Sequence, residues 1–406
     1  MARVWVDWGP VRSNRSFRLL ISGQLISLIG SNVTMVAIPY QVFLMTHASW
    51  WVGVASIVQL PALIAGSLMG GALGDRYDKR PLLVATSATS GIASLLLAVG
   101  ALHHVALGWL LALAASSAFA GGLGGPLRTA AIPQMLRNDE LVPAYSLNQI
   151  VVNLGAILGP SLAGLVLASW GLAWCYGLDA LTFAVILVAS VLISPLPPTR
   201  SGSPVSLLRA IGDGVTYVRH HRVAQFVYLA DLNAMVFGSP RGLFPAIALT
   251  VYHGGPRLLG LLYAAPSVGA VVLAFTSGWV THVRRRGRAV AVAIGVWGLA
   301  ISAFGLSRSV WIALPCLALA GAMDVVSTVL RNTILQLAIT DEVRSRVSSI
   351  QLAVVTGGPR LGDLESGVVA SATSTEFSVV SGGVACVIGI ALLMRRRREA
   401  WTSRDL

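Results

Sequence analysis

Residues 173–194 read AWCYGLDALTFAVILVASVLIS, and Asp179 is the only charged side chain among them. The run is long enough to cross the hydrocarbon core of a bilayer as a helix, which needs about 20 apolar residues. It lacks the alternation of apolar and polar positions that is typical of the strands of a membrane β-barrel. The stretch therefore predicts a transmembrane helix, and similar stretches recur along the whole chain.

Twelve such stretches occur in the 406 residues, and their composition excludes a soluble protein. The spans are predicted at 17–46, 51–73, 81–102, 106–129, 142–169, 173–194, 223–252, 257–282, 289–307, 311–337, 345–371 and 376–394. Charged residues make up 11% of the chain, less than half of the share of about 25% in soluble domains. We therefore predict an all-α integral membrane protein with twelve transmembrane helices.

A polar segment at 195–222 separates six spans from six. It predicts an N-terminal half at 1–194, a cytoplasmic linker at 195–222 and a C-terminal half at 223–406 that ends in a basic tail. Four apolar residues of the linker recur at helical spacing and predict a short amphipathic helix. These are Leu207, Leu208, Ile211 and Val215.

The two halves look like copies of one design. A shift of 203 residues superposes Leu127-Arg128 on Leu330-Arg331 without a gap. The same shift superposes Gly155, Gly159 and Gly164 on Gly358, Gly362 and Gly367. Several transporters build a site that opens to alternate sides of the membrane from duplicated halves. The expected fold is therefore two pseudo-symmetric six-helix halves.

The net charge of +13 comes from arginines that cluster in alternate connections, in the linker and at the termini. The clusters comprise Arg15 and Arg18, Arg76, Lys79 and Arg80, Arg128 and Arg137, Arg200 to Arg222, Arg284 to Arg288, Arg331, Arg344 and Arg346, and Arg395 to Arg398. This positive-inside bias predicts that both termini lie in the cytoplasm, with the arginines near anionic lipid. No basic-aromatic module suggests nucleic acid as a partner.

The connection between the second and third spans carries the sequence GALGDRYDKR at 71–80. It resembles the signature of the major facilitator superfamily, in which a glycine, an aspartate and basic residues line a cytoplasmic turn. Gly71, Asp75, Arg76, Lys79 and Arg80 match that signature, whereas Asp78 stands where the family usually has glycine. The resemblance implies a gate on the inner face, with Asp75 capping the next helix or pairing with an arginine. The alternative is an ordinary basic turn.

The fifth span contains Gly155, Gly159, Pro160 and Gly164. Glycines at this spacing allow close helix packing, and proline allows a kink. The pattern resembles the antiporter motif of the major facilitator superfamily, which implies export by exchange. Ordinary packing of small residues is the alternative.

Further stretches resemble the enterobactin exporter family. They are MTHASWWVG at 45–53, WCYGL at 174–178, GLLYAAP at 260–266 and GPRLGDLE at 358–365. That family carries siderophores out of the cell in exchange for protons. Its relatives include macrolide and multidrug exporters, so the resemblance leaves the cargo open.

Charged residues inside predicted spans are candidates for function because they are costly in hydrocarbon. Asp231, Asp324 and Asp363 are candidates for proton coupling, and the candidates for cargo binding or gating are Arg241, Arg360 and Glu365. Arg360 and Asp363 lie three residues apart and share a helix face, so a structural ion pair is the alternative for them. For Asp179 we favour a structural role, as a cap near the start of the sixth span.

These features predict a proton-coupled exporter of a siderophore or similar metabolite in the bacterial inner membrane. A multidrug or macrolide efflux pump is the alternative, and a passive channel is a third. The chain has no nucleophile, metal or nucleotide motif, so we expect no enzyme activity and no cofactor. We expect the protein to be a monomer. Its expected partners are protons, lipid and a small-molecule cargo.

Overall fold

The computed structural model of the chain describes residues 8–103, 105–198, 216, 218–276, 283, 285–338 and 341–396. Its regular structure is helical. Eleven of the described helices are long and apolar enough to cross a membrane. The predicted amphipathic helix of the linker lies outside the described residues.

Six long helices correspond to the first six predicted spans. They are α1 (Arg15–Thr46), α2 (Ser49–Arg76), α3 (Lys79–Leu102), α4 (Leu107–Met135), α5 (Leu141–Ser169) and α6 (Leu172–Leu192). A short helix at Gly9–Ser13 precedes α1, and a 3₁₀ turn at Asn138–Glu140 precedes α5.

Six further helices follow the linker. They are α7 (Arg222–Phe237), α8 (Gly255–Thr276), α9 (Arg286–Leu306), α10 (Val310–Ala338), α11 (Asp341–Ala372) and α12 (Thr375–Arg396). The helix α11 occupies the place of the predicted eleventh span, and it is the one that does not reach the apolarity of the eleven candidate spans. It carries Arg360, Asp363 and Glu365.

The chain divides into two compact units. The first comprises the described residues of Met1–Met45 and Val58–Pro204, and the second those of Thr46–Ile57 and Val205–Leu406. The beginning of α2 therefore groups with the second unit, although it precedes the predicted boundary between the halves.

The same helix pairs pack in each unit. In the first, α3 packs on α4 and α6; in the second, α9 packs on α10 and α12. Glycines mediate matching close contacts. Gly66 of α2 meets the backbone of Phe119 in α4, and Gly269 of α8, which is 203 residues later, meets the backbone of Ala318 in α10. The absence of side chains at these glycines lets the two backbones approach.

The predicted seventh span, 223–252, appears as a candidate span at Arg222–Val251, and its helix is interrupted. The helix α7 ends at Phe237, and Ser239 and Pro240 are not helical. Proline lacks an N–H and disfavours helical backbone in the residue before it. The chain resumes in short turns at Arg241–Leu243, Phe244–Ala246 and Ile247–Val251.

Candidate functional site

A buried ion pair joins α7 to α10 in the second unit. Arg331 Nη1 lies 2.6 Å from Asp231 Oδ1, and each side chain is only 4% exposed. The two groups meet as opposite charges without the alignment of a hydrogen bond. Removing either partner from such a pair leaves an uncompensated charge in a low-dielectric interior.

The pair extends along α10 into a chain of polar groups. Arg331 Nη2 donates a hydrogen bond to Thr328 Oγ1 at 3.0 Å, and Thr328 Oγ1 donates to Asp324 Oδ1 at 3.4 Å. Residues 324, 328 and 331 stand four and seven positions apart, so they share one helix face. We call Asp231, Asp324, Thr328 and Arg331 the charged cluster. It contains two of the three carboxylates that the sequence predicts for proton coupling.

Sequence reasoning missed Arg331 and Thr328 as members of this cluster. Arg331 was assigned to the cytoplasmic arginines, and the structure corrects this because its side chain is buried against Asp231. The spacing of Asp324 and Arg331, two turns apart on one helix, was the signal that could have found the cluster. The internal duplication was a second signal that Arg331 is more than a cytoplasmic charge, because the shift of 203 residues aligns it with Arg128.

Arg241 follows the break after α7 and lines a small cavity together with Asp324. The aromatic residues Phe244 and Trp297 line the same cavity, whose volume is about 30 Å³. That volume can hold water but is far below the ~300–1,000 Å³ of pockets for organic ligands. Asp324, a candidate for proton coupling, and Arg241, a candidate for cargo binding, thus line one cavity that is large enough for water.

Side chains from three helices satisfy the backbone groups that the break exposes. Trp297 Nε1 of α9 donates to the Gly238 carbonyl at 2.9 Å. The Tyr263 hydroxyl of α8 donates to the Arg241 carbonyl at 3.0 Å, and Gly242 N–H donates to Asp363 Oδ1 of α11 at 2.8 Å. Non-helical backbone at membrane depth is tolerated where protein groups pair it, and in transporters such segments line binding sites.

The Asp363 carboxylate accepts a hydrogen bond from the backbone of the break after α7 and does not pair with Arg360. Its Oδ1 accepts from Gly242 N–H, and its Oδ2 accepts from Ser56 Oγ at 2.7 Å. Ser56 belongs to the second compact unit through the beginning of α2. The Arg360 side chain donates to the Thr356 carbonyl on its own helix at 2.8 Å. The ion pair that was the alternative for Arg360 and Asp363 is therefore not formed, because each group has another partner.

Glu365, the last cargo or gating candidate, is half-buried on α11. It makes no hydrogen bond or ion pair with the residues that the structure describes. Asp363 and Glu365 thus stand apart from the charged cluster.

Asp179 lies in the first unit, where the prediction of a helix cap is wrong. Gly171 is the N-cap of α6, and Asp179 sits two turns farther along the helix. Its side chain is buried and accepts hydrogen bonds from Thr34 of α1 and Ser94 of α3.

In the segment 71–80, Asp78 takes the capping role that was predicted for Asp75. Asp78 Oδ1 accepts from Arg80 N–H at 2.8 Å as the N-cap of α3, and it also accepts from Leu196 N–H at 3.0 Å. The Arg80 side chain donates to the Val191 carbonyl. Asp75 is exposed and makes no hydrogen bond or ion pair within the described part of the chain. The aspartate at the family's glycine position therefore ties the turn to the end of α6.

The glycines of the two motifs differ in what surrounds them. Among the described residues nothing lies within 4 Å of the position that a Cβ would take at Gly71, so a close approach is not made there. At Gly155 and Gly159 of α5, that position is filled by Leu28 and Asn32 of α1. Pro160 and Gly164 are buried in the same helix. In the second unit, Gly358 and Gly362 of α11 meet Met235 of α7 in the same way.

Comparison with known proteins gives a family and a fold. Residues 6–406 match the model of a family described as transmembrane secretion effectors. The chain is 31% identical over 390 residues to the enterobactin exporter EntS of Salmonella typhimurium, which covers 95% of this chain and 93% of that one. It is 29% identical over 386 residues to EntS of Citrobacter koseri, with 95% and 92% covered.

Solved structures share the fold at low sequence identity. The nucleoside transporter NupG matches with a TM-score of 0.78 at 12% identity, over 94% of this chain and 98% of that one. A bacterial homolog of the human lysosomal transporter Spinster matches with a TM-score of 0.73 at 15% identity, over 98% of both chains.

Proposed function

Because the chain belongs to the transmembrane secretion effector family of the major facilitator superfamily, we propose that it exports a siderophore or similar small metabolite in exchange for protons. Like the members of its family and its relatives, it is a multi-pass membrane export transporter and not an enzyme. Relatives that are named enterobactin exporters support a siderophore as the cargo. The charged cluster supports protons as the coupling ion.

The observation that carries proton coupling is the buried contact between Asp231 and Arg331. A proton on Asp231 removes the negative charge that holds Arg331. The contact between α7 and α10 and the occupancy of the carboxylate by a proton therefore change together. A coupling site needs this property, because an ion can shift a conformational equilibrium only through different interactions in the two states.

Thr328, and through it Asp324, are the other partners of Arg331 in the charged cluster. When Asp231 is protonated, Arg331 retains Thr328 and, through it, Asp324. Asp324 borders the cavity that Arg241 also lines. The change at Asp231 is thereby passed to the break after α7, where the exposed Arg241 is the candidate for contact with the cargo. Arg360 and Glu365 of α11 remain candidates for cargo contact or gating.

The test is transport into inverted membrane vesicles with enterobactin as the siderophore and a lipophilic cation as the drug probe. We expect the wild type to accumulate enterobactin and an uncoupler to abolish the accumulation. Asp231→Asn and Asp324→Asn should each lower it about tenfold, within the range expected when a coupling of ~1–3 kcal/mol is lost. Asp139→Asn is the matched control because that carboxylate is exposed and lies outside the cluster.

Two results would overturn parts of the proposal. Flux that ignores the uncoupler removes proton coupling and indicates a channel. Uncoupler-sensitive accumulation of the lipophilic cation, without enterobactin, retains proton coupling and replaces the siderophore with drugs as the cargo. Melting temperatures of the purified variants distinguish a loss of coupling from a loss of folding.

A further inference from the structure

The first compact unit contains a buried carboxylate that the proposed function does not use. Asp179 of α6 is 1% exposed. Its Oδ2 accepts hydrogen bonds from Thr34 Oγ1 and Ser94 Oγ, each at 2.7 Å. Its Oδ1 is also buried and has no hydrogen-bond partner. Three helices, α1, α3 and α6, thus meet at one carboxyl group.

No cation compensates for this group among the described residues. The titratable side chains of α6 itself are Cys175 and Tyr176, and the Tyr176 hydroxyl donates to Gln41. On α1 the titratable side chains are Arg15 and Arg18, in the first turn, and Tyr40. On α3 they are Lys79 and Arg80, at its first two positions, and on α5 only Tyr145. No ion pair is formed between Asp179 and any of these groups.

An ionised carboxylate without a cation is unfavourable in this position. Moving an isolated charge into a low-dielectric interior costs several kcal/mol even after relaxation of the protein. Two hydroxyl donors offset part of that cost, but Oδ1 retains its lone pairs without a donor. A buried polar atom that lacks a partner calls for an explanation.

A proton explains the unpartnered oxygen better than a metal ion does. Gly30 of α1 packs directly against the carboxyl, because a Cβ at Gly30 would lie 2.8 Å from Oδ1. Hard cations need about six oxygen ligands around them, and the backbone of α1 occupies the side of Oδ1 where they would stand. A proton needs only the oxygen that carries it and a neighbouring acceptor. Thr182 Oγ1 lies beside the same Gly30 position as Oδ1 and donates its own proton to the Asp179 main-chain carbonyl at 2.8 Å, so its oxygen can act as the acceptor.

We propose that Asp179 is a proton-binding site of the first unit, with the proton on Oδ1 and with Oδ2 as the carbonyl oxygen that accepts from Thr34 and Ser94. The site holds α1, α3 and α6 together while it is occupied, and its loss of a proton places a bare charge between them. The inference goes beyond the proposed function, whose candidate carboxylates all lie in the second unit. It rests on that function only for the role of protons in transport.

The test uses the purified full chain in detergent without cargo, so that its outcome does not depend on export. Infrared spectra should show the carbonyl band of a protonated carboxyl in the wild type, and Asp179→Asn should lose it. Ser94→Ala should retain the band and shift it to higher frequency, because one hydrogen bond to the carbonyl oxygen is removed. An Asn variant that fails to fold leaves the Ser94→Ala shift as the deciding measurement.

The melting temperature supplies a second readout. A folded chain that holds a proton which the unfolded chain releases loses stability as the pH rises. The wild type should therefore melt at lower temperature at about pH 7 than at about pH 5, and the slope should be smaller in Asp179→Asn. Asp139→Asn, which alters an exposed carboxylate, should keep the wild-type slope.

Three outcomes overturn the proposal. One is the absence of any carbonyl band that responds to Asp179→Asn or Ser94→Ala. Another is an equal dependence of melting on pH in the wild type and in Asp179→Asn. The third is a rise in melting temperature when sodium chloride replaces choline chloride, if Asp179→Asn abolishes it, because the carboxylate then binds a metal cation.

Discussion

At the scale of single residues, the contrast between two ion pairs shows how burial decides what a charge does. Arg137 and Asp139 lie 3.2 Å apart with side chains 79% and 69% exposed. Water solvates both partners, so such a pair contributes little. Asp231 and Arg331 are closer together and buried. The charge of each side chain is compensated by the other, because burial removes water from both.

Replacing Arg331 with methionine should therefore destabilise the protein strongly. The change keeps much of the side-chain volume but leaves Asp231 without a cation, which costs about 3–5 kcal/mol for buried pairs. Adding Asp231→Asn to Arg331→Met should recover part of this loss, since it removes the bare charge at position 231 while Asp324 keeps its carboxylate. The melting temperatures of the three proteins in detergent measure the effect.

The exposed pair supplies the control for this prediction. Arg137→Met should leave the melting temperature near that of the wild type. Equal melting of Arg331→Met and the wild type would show that the ion pair has no structural role.

At the scale of helices, glycines set how closely α5 approaches α1 and how closely α11 approaches α7. A Cβ on Gly159 would collide with Asn32 and would lie 3.0 Å from the Ile29 carbonyl. The close contact therefore depends on the missing side chain. The motif that resembles an antiporter signature thus has a packing role in both units, whatever it contributes to exchange.

Gly159→Ala and Gly362→Ala should each lower the melting temperature, because overpacking a helix contact costs about 1–3 kcal/mol. Gly125→Ala in α4 is the matched control, since no described atom lies within 4 Å of its would-be Cβ. That variant should be neutral or slightly stabilised, because alanine favours a helix over glycine by about 1 kcal/mol. Equal effects at Gly159 and Gly125 would contradict the packing role.

The sequence predicted the helices well because apolar length is a local property. The run at 173–194 appears as α6 at Leu172–Leu192, with its bounds displaced by one or two residues. The break after α7 was missed although Pro240 marked it, because the span remains apolar on both sides. The cap made by Asp78 was also missed, since its second partner, Leu196, lies 118 positions away.

The sequence predicted which residues belong to the candidate site but not the contacts between them. Charges in apolar spans stand out one at a time, so Asp231, Asp324 and Asp363 were found. Their partners were not, because Arg331 and Ser56 come from helices whose packing the sequence does not display. A spacing of three residues suggested a pair between Arg360 and Asp363, but contacts with Thr356 and Gly242 replace it.

At the scale of the whole molecule, exposed tryptophans lie at helix ends and the arginines cluster in alternate connections. Trp109, Trp170, Trp174 and Trp311 are exposed at or near the ends of helices in the connections that lack arginine clusters. Tryptophan favours the membrane–water interface, and arginine favours the cytoplasmic side. Because tryptophan is enriched at both interfaces, the arginine clusters alone predict which side is cytoplasmic.

We therefore expect both termini to face the cytoplasm. A green fluorescent protein fused after Leu406 should fluoresce, because it folds on the cytoplasmic side. Alkaline phosphatase fused after Trp170 should be active, and the same reporter fused after Arg80 should be inactive. The reverse pattern of activities would invert the topology and contradict the positive-inside interpretation.

The hydrogen bond between Ser56 and Asp363 also has a consequence for the order in which the protein is made. Its two ends are 307 residues apart in the chain. At about 5–20 residues per second, the ribosome finishes the partner roughly 15–60 s after the serine. During that interval the Ser56 hydroxyl lacks the carboxylate that it binds in the complete chain. The contact between the beginning of α2 and α11 can therefore form only near the end of translation.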